Sequence, residues 1–522
     1  MFAWFDRHLS VTVLSMNLRS LSIAFFFVLV FPILAKRPNI LVILTDDHRY
    51  DALGFLGHPF LKTPHMDRLA AEGVHFQNAY VTTSLCSPSR ASILTGLYAH
   101  NHRVVDNYNP VNKSLTFFPE LLQGSGYQTA FIGKWHMGDS EEKQRGFDYW
   151  LSFKGQGVYV PDPALLKAKG RFVPQATNSG FNINGKRVAQ KGYITDELTD
   201  YAEEWLGGKD DTKPFLLYIS HKGVHADFLP PDRHAFKYDE VLIPTPPTPL
   251  SNPDLFKDPP IWVQNQSNSR HGVEFAYYTG VDMKKYYRRY CEALLAVDDS
   301  VGRLLDNLEK SGELEDTVIL YLGDNGFIFG EHGLIDKRCA YDESIRIPML
   351  MRYPKSLKPG TKVEKIVANI DVAPTLLEVA GLKSKERMDG KSFWQLAKGK
   401  GTSDWRKYLL YEYYWERNYP QTPTNHAVIG EDYKYIRYHG VWDLDELYHT
   451  KSDPKERKNL FNDSSQESRI NEMNEALFDL LADSSGENMP LLRDRGTKHL
   501  PRKSGGPRGG ALPPLLRRDA GR

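Results

Sequence analysis

Cysteine is scarce in this chain: Cys86, Cys291 and Cys339 are the only three among 522 residues. So few exclude a disulfide framework and leave room for one bridge, between Cys291 and Cys339. Zinc finds no paired cysteine or histidine spacing. An excess of either charge is also missing. Against 66 Lys+Arg stand 65 Asp+Glu, a formal net charge of +1, and nothing in that balance points to a nucleic-acid partner. Long hydrophobic runs are lacking too. The run Ile23 to Leu34 falls short of the ~20 residues of a spanning helix, which argues against stable membrane insertion.

What is present is enough apolar residue, 41% of the chain, for a sizeable core. The length exceeds the roughly 250 to 300 residues at which single cores stop growing, so a large domain with a smaller companion is expected. Arg19, the apolar run and Ala35 before Lys36 read as a secretion signal, and the layout MNLRSLS fits a start at Met16. The alternative is an uncleaved anchor. The expected organisation is a signal segment at 1–35, a catalytic domain at 36–404, a C-terminal subdomain at 405–492 and a disordered basic tail at 493–522, with secretion to the periplasm or medium.

Asn39 to Leu44 and Thr317 to Leu322 are short apolar runs that end in Asp46-Asp47-His48 and Asp324-Asn325, as buried strands do when they deliver polar residues at their carboxyl ends. Tyr127 to Ile132 and Phe215 to Ser220 are further strands. Met66 to Glu72, Ser87 to Leu97, Tyr193 to Leu206 and Tyr286 to Ser311 have helical patterning. The alternation predicts an α/β fold, one large sheet with helices on both faces. Ile243 to Pro260 is proline-rich and predicts an irregular surface excursion. Short aromatic runs between Tyr408 and Tyr448 predict a small antiparallel sheet, and Glu467 to Ala482 a helix after it.

Asp46, Asp47, Asp324 and Asn325 are hard oxygen donors, the set a hard divalent cation requires, although such dipeptides taken singly are usually turns or caps. In Cys86-Ser87-Pro88-Ser89-Arg90, proline near the first turn starts a helix, with Cys86 at its N-terminus and Arg90 one turn on. An anion there meets free amides, the helix dipole and a guanidinium. A plain thiol is an odd ligand for a hard cation. Lys134 and His136 follow another apolar run and reach one rim.

Cys86-x-Pro88-x-Arg90 with Ala91-Ser92-Ile93-Leu94-Thr95-Gly96 resembles the modification signature of the type I sulfatases, in which the cysteine becomes formylglycine. The resemblance runs from about Pro38 to about Leu460. It passes through Gly133-Lys134-Trp135-His136, His221 to His225, Gly323 to Gly326, Gly330 to Gly333 and Lys337-Arg338. It implies an alkaline-phosphatase-like mixed sheet and one Ca²⁺ held by Asp46, Asp47, Asp324, Asn325 and the modified Cys86. It also implies a formylglycine hydrate that attacks sulfur and then eliminates sulfate. Metal contact and Arg90 make the attacking hydroxyl a better nucleophile, Lys134 and Lys337 bind sulfate, His136 assists the elimination, His225 stands at the leaving oxygen, and a formylglycine-generating or other maturing enzyme is the partner. Val224 departs from the proline many relatives carry before this histidine, which changes loop stiffness more than chemistry.

Gly96 to Asn107 and Asp336-Lys337-Arg338 resemble stretches of N-acetylglucosamine-6-sulfatases and bacterial polysaccharide sulfatases. The implied substrate is a sulfated carbohydrate, cleaved in an exo manner. Arg103, Asp106 and Asn107 are candidate sugar contacts, or residues that line a solvated loop. The rival activities are a phosphomonoester, phosphodiester or phosphonate hydrolase of the same superfamily and, from another class, an inactive glycan-binding homologue.

Overall fold

A computed structural model describes residues 37–486, except 139, 163–165, 168–179, 250, 267–270, 273–281, 402, 418 and 440–442. The expected signal segment and basic tail lie outside the described residues. Asn39–Thr45 is the strand the apolar run requires, buried throughout, in a ten-stranded sheet. Five neighbouring strands run parallel, in the spatial order Thr317–Gly323, Asn39–Thr45, Phe215–Ser220, Gln128–Gly133 and Tyr149–Ser152. Antiparallel pairings at both flanks make the sheet mixed: Met349–Arg352 lies beside Thr317–Gly323, and Phe181–Ile183 beside Tyr149–Ser152.

Side chains alternate across a strand. Ile40, Val42 and Leu44 accordingly enter one core with Ala91, Ile93 and Leu122, while Leu41 and Ile43 enter another with Leu69, Leu198 and Leu294. Helices Cys86–Thr95 and Phe118–Gly124 thus cover one face, and Pro64–Glu72, Ile194–Gly208 and Met283–Lys310 cover the other. The sequence missed Val74–Phe76, Met349–Arg352 and Thr361–Val363, each too short to carry a periodic signal.

Leu409–Tyr413, Thr424–Ile429, Lys434–His439 and Glu446–Tyr448 form the small antiparallel sheet. Met473, Leu477 and Leu481 of helix Glu467–Asp483 are buried, and this helix packs on the sheet. Tyr411, Tyr413, Tyr435 and Tyr448 are core residues, and Leu410 and Val428 share one apolar cluster with Ile40. The described residues of the proline-rich excursion are irregular apart from the turn Pro253–Leu255 and a bridge from Lys257 to Lys458; its start lines a cavity of about 720 Å³ with Phe60, Tyr287 and Phe329. All three cysteines are free and buried, so no bridge joins Cys291 to Cys339. Among the described residues, no helix is long and apolar enough to cross a membrane.

Candidate active site and metal centre

Thr45 pairs with Gly323 in the parallel register, so the two strands release Asp46-Asp47 and Asp324-Asn325 side by side. The Asp47 amide donates to Asp324 Oδ1 at 3.0 Å, and Asn325 Nδ2 donates to Asp47 Oδ1 at 2.6 Å. Oxygens of Asp46, Asp47 and Asp324 lie within 4.8 Å of one another, and all three residues are buried. Three buried carboxylates at this spacing repel unless cations intervene.

Three intervene. Lys134 Nζ contacts Asp46 Oδ2, and Lys337 Nζ contacts Asp47 Oδ1. Arg90 donates from Nε and Nη2 to Asp324 Oδ2 at 3.0 and 2.8 Å. Its Nη1 donates to the Lys134 carbonyl at 2.7 Å and to Ser220 Oγ at 2.6 Å, so one guanidinium ties three strand ends together. Asp47 Oδ2 and Asn325 Oδ1 are buried without a hydrogen-bond partner, although the Asn325 amide donor is used. Hard oxygens left without donors beside two further carboxylates fit a hard divalent cation such as Ca²⁺.

Helix Cys86–Thr95 begins one residue earlier than its sequence pattern suggests and ends at Gly96 with φ +70°. Cys86 lies in its first turn, with Sγ donating to Asp46 Oδ1 at 3.4 Å and Lys337 Nζ 3.3 Å from the sulfur. Ser87 Oγ donates to the His136 carbonyl, and His136 Nδ1 is 3.5 Å from the same hydroxyl. His225 Nε2 is 4.0 Å from Asp47 Oδ2, and its ring lies within metal-ligand reach of Cys86 and Asp46.

Charge sets the protonation states. Burial pushes the Asp46 carboxyl up, but the cations Lys134, Arg90 and Lys337 outweigh it and hold the group well below the usual carboxylate range. Asp47 is pushed up to about 7 by burial, against the pull of Lys337. Burial and then Lys134 hold His136 and His225 well below 6.5, so both imidazoles are neutral. Burial and then the charge of Asp46 push the Cys86 thiol up.

Asp46, Asp47, Cys86, Arg90, Lys134, His136, His225, Asp324, Asn325 and Lys337 thus surround one point. The candidate sugar contacts differ. Arg103 is exposed behind the short helix Ala99–His102. Asp106 is buried and accepts the Tyr108 and Asn109 amides. Asn107 Oδ1 accepts the Ser87 amide at 3.1 Å and so caps the helix of Cys86. His48 bonds Tyr321 and Ala52, His221 faces Ser300, and His332 stacks on Tyr341. Sequence reasoning missed Ser220, whose hydroxyl also donates to the Lys134 carbonyl. Its signal was its place at the end of a buried strand.

The chain matches the sulfatase family over residues 38–382 and the C-terminal family "N-sulphoglucosamine sulphohydrolase, C-terminal" over 330–483. It is 34% identical over 82% of its length to an N-acetylglucosamine-6-O-sulfatase of Bacteroides thetaiotaomicron, covering 83% of that protein. The human N-acetylglucosamine-6-sulfatase is 31% identical over 74% of this chain and 69% of its own. A solved structure described as a complex with its substrate D-glucosamine-2-N,6-O-disulfate superposes with a TM-score of 0.74. It is 32% identical, and the match covers 87% of this chain and 99% of that one.

Proposed function

The chain belongs to the sulfatase family and is a sulfuric ester hydrolase, and on that premise we propose that it removes the 6-sulfate of N-acetylglucosamine residues in sulfated carbohydrates, acting from a chain end. The reaction uses formylglycine made from Cys86 by a maturing enzyme, and one Ca²⁺ ion. The observation that carries this reading is the position of Cys86, on a helix N-terminus between Asp46 Oδ1 at 3.4 Å and Lys337 Nζ at 3.3 Å. The names of the two relatives and of the sugar complex support the substrate class. Secretion through the 1–35 leader belongs to the same proposal and fits an extracellular glycan.

Asp46, Asp47, Asp324 and Asn325 would hold the ion, which when bound supplies Lewis-acid charge to the sulfate oxygens, while a hydrated aldehyde at position 86 supplies an oxygen nucleophile. Lys134, Lys337 and Arg90 receive the sulfate and neutralise the charge that grows during transfer. His136, held neutral, accepts a proton beside position 86. His225, whose side chain is 20% exposed, stands at the mouth of the site. The negative charge of a bound sulfate raises its proton affinity, so that it can protonate the leaving sugar oxygen.

Co-expression with a formylglycine-generating enzyme, followed by assay of sulfate release from N-acetylglucosamine-6-sulfate with and without chelator, tests the proposal. Chelator-sensitive release is expected. Release from an aryl sulfate alone would remove the sugar from the reading, and cleavage of phosphate analogues alone would replace it with a phosphohydrolase.

A further inference from the structure

Each of these cations of the site meets a carboxylate: Lys134 on Asp46, Lys337 on Asp47, and Arg90 on Asp324 and, at 3.7 Å, on Asp46. Lys222 does not. The loop that leaves strand Phe215–Ser220 sends its side chains in different directions. His221 Nε2 meets Ser300 Oγ at 3.1 Å on helix Met283–Lys310, and His225 turns toward Asp47. Lys222 sits between them, joined to His225 by the turn in which the His225 amide donates to the Lys222 carbonyl at 2.9 Å.

Lys222 is 3% exposed, yet among the described residues its ammonium has neither a hydrogen bond nor a carboxylate at ion-pair distance. Its close neighbour is the face of Tyr159, 4.7 Å from Nζ to ring centroid. The Tyr159 hydroxyl donates to the His225 carbonyl at 2.6 Å, so Lys222, Tyr159 and His225 make one wall of the site. Asp227 and the carboxylates of Asp46 and Asp47 act on the ammonium from beyond contact. Burial and then Lys134 lower its pKa to about 8, which leaves it charged at neutral pH. An unpaired buried ammonium is costly to keep, and a cation–π contact offsets only part of that cost.

We propose that Lys222 is a specificity residue whose ammonium receives a second anionic substituent of the substrate, a sulfate or carboxylate other than the scissile group. This inference rests on the sulfated-carbohydrate reading above and narrows it: the preferred substrate carries at least two negative charges. A charge-assisted contact of this kind favours the doubly charged sugar by about tenfold.

The test separates binding from turnover. Full-length Cys86→Ala protein with Ca²⁺ is titrated calorimetrically with N-acetylglucosamine-6-sulfate and with glucosamine-2-N,6-O-disulfate. The disulfated sugar is expected to bind about tenfold tighter, Lys222→Met to bring that ratio toward one, and Lys222→Arg to keep most of it. Equal affinities in the parent, no binding of the disulfated sugar, or equal weakening of both sugars by Lys222→Met would each overturn the proposal. Should Lys222→Met fail to fold, Lys222→Gln and Lys222→Arg provide the same comparison. Failure of the sulfatase reading is read separately, as no sulfate release from either sugar by the matured wild-type enzyme.

Discussion

Asn107→Ala tests whether position 86 is held by a residue the sequence suggested for sugar binding. Helix Cys86–Thr95 starts behind Leu85, which has no side-chain acceptor, so the Ser87 amide depends on Asn107 Oδ1 at 3.1 Å. Removing a cap costs about 1 kcal/mol, within a range of roughly 0.5–2. The half-buried setting puts this one in the upper part of that range. In a chain of this size the loss lowers Tm by about 1–3 °C. If the same free energy is lost from alignment of the nucleophile, kcat falls by up to roughly tenfold, since each ~1.4 kcal/mol is a factor of ten. Asn107→Asp keeps the acceptor and places a negative charge at a helix N-terminus, so Tm returns to the wild-type value or above. Thermal melts and steady-state kinetics on N-acetylglucosamine-6-sulfate measure both. A raised KM with unchanged Tm and kcat in Asn107→Ala would refute the cap and return Asn107 to the sugar.

Ca²⁺ at ~100 times its Kd stabilises a protein by about 2.7 kcal/mol, so added Ca²⁺ raises Tm in wild type and far less in Asn325→Ala; melts that ignore both Ca²⁺ and chelator would remove the ion. Gly133→Ala is expected to cost more than ~3 kcal/mol, because its Cβ would sit 1.9 Å from the Ser220 carbonyl oxygen at φ +123°. Gly126→Ala, at φ +100° with nothing within 4 Å, should be milder, and equal melts for the two would contradict this. His100 Nδ1 and Glu412 Oε2 form a buried pair at 2.7 Å; burial opposes both charges, yet the pair raises His100 above 6.5 and lowers Glu412 below 4.5. The His100 contribution is complete below 6.5 and lost as pH rises through its raised value, while that of Glu412 is complete above 4.5 and lost as pH falls. Glu412→Gln therefore destabilises most between those values, and a Tm deficit that shrinks neither toward acid nor toward alkaline pH would deny the ion pair.

The fold was legible where periodicity is strong. Asn39–Thr45, Phe215–Ser220 and Thr317–Gly323 are continuous apolar runs because both of their faces are buried. The flanking strands were hidden because three or four residues carry no period. The oxygen donors were legible because they follow those runs directly. Arg103, Asp106 and Asn107 were ambiguous for a physical reason: a polar loop residue can bind a ligand or hold the loop, and only the partner atom decides. Ser220 and Lys222 were passed over because a serine or lysine at a strand end has no distinguishing spacing. What distinguishes them is the residue each meets in space, Arg90 for one and Tyr159 for the other.

The chemistry of position 86 argues for oxidation independently of any signature. A cysteine reacts as its thiolate, and reactive thiols sit in electropositive, partly exposed surroundings that lower their pKa. Cys86 is fully buried, and burial with the adjacent Asp46 charge raises its pKa more than Lys134 and Lys337 lower it. The thiol is therefore held neutral, and neutral sulfur is a soft ligand among hard oxygens. Hydrated formylglycine at the same place reverses both mismatches. It would bring oxygen to a cation site built from oxygen, where Asp46, Asp47, Asp324 and Asn325 would hold the ion, and an oxygen nucleophile needs no thiolate. The helix N-terminus would then stabilise the negative charge that the hydrate gains once it is deprotonated or sulfated during transfer. Burial, donor set and helix orientation would therefore all suit the proposed formylglycine, whose reacting atom is oxygen.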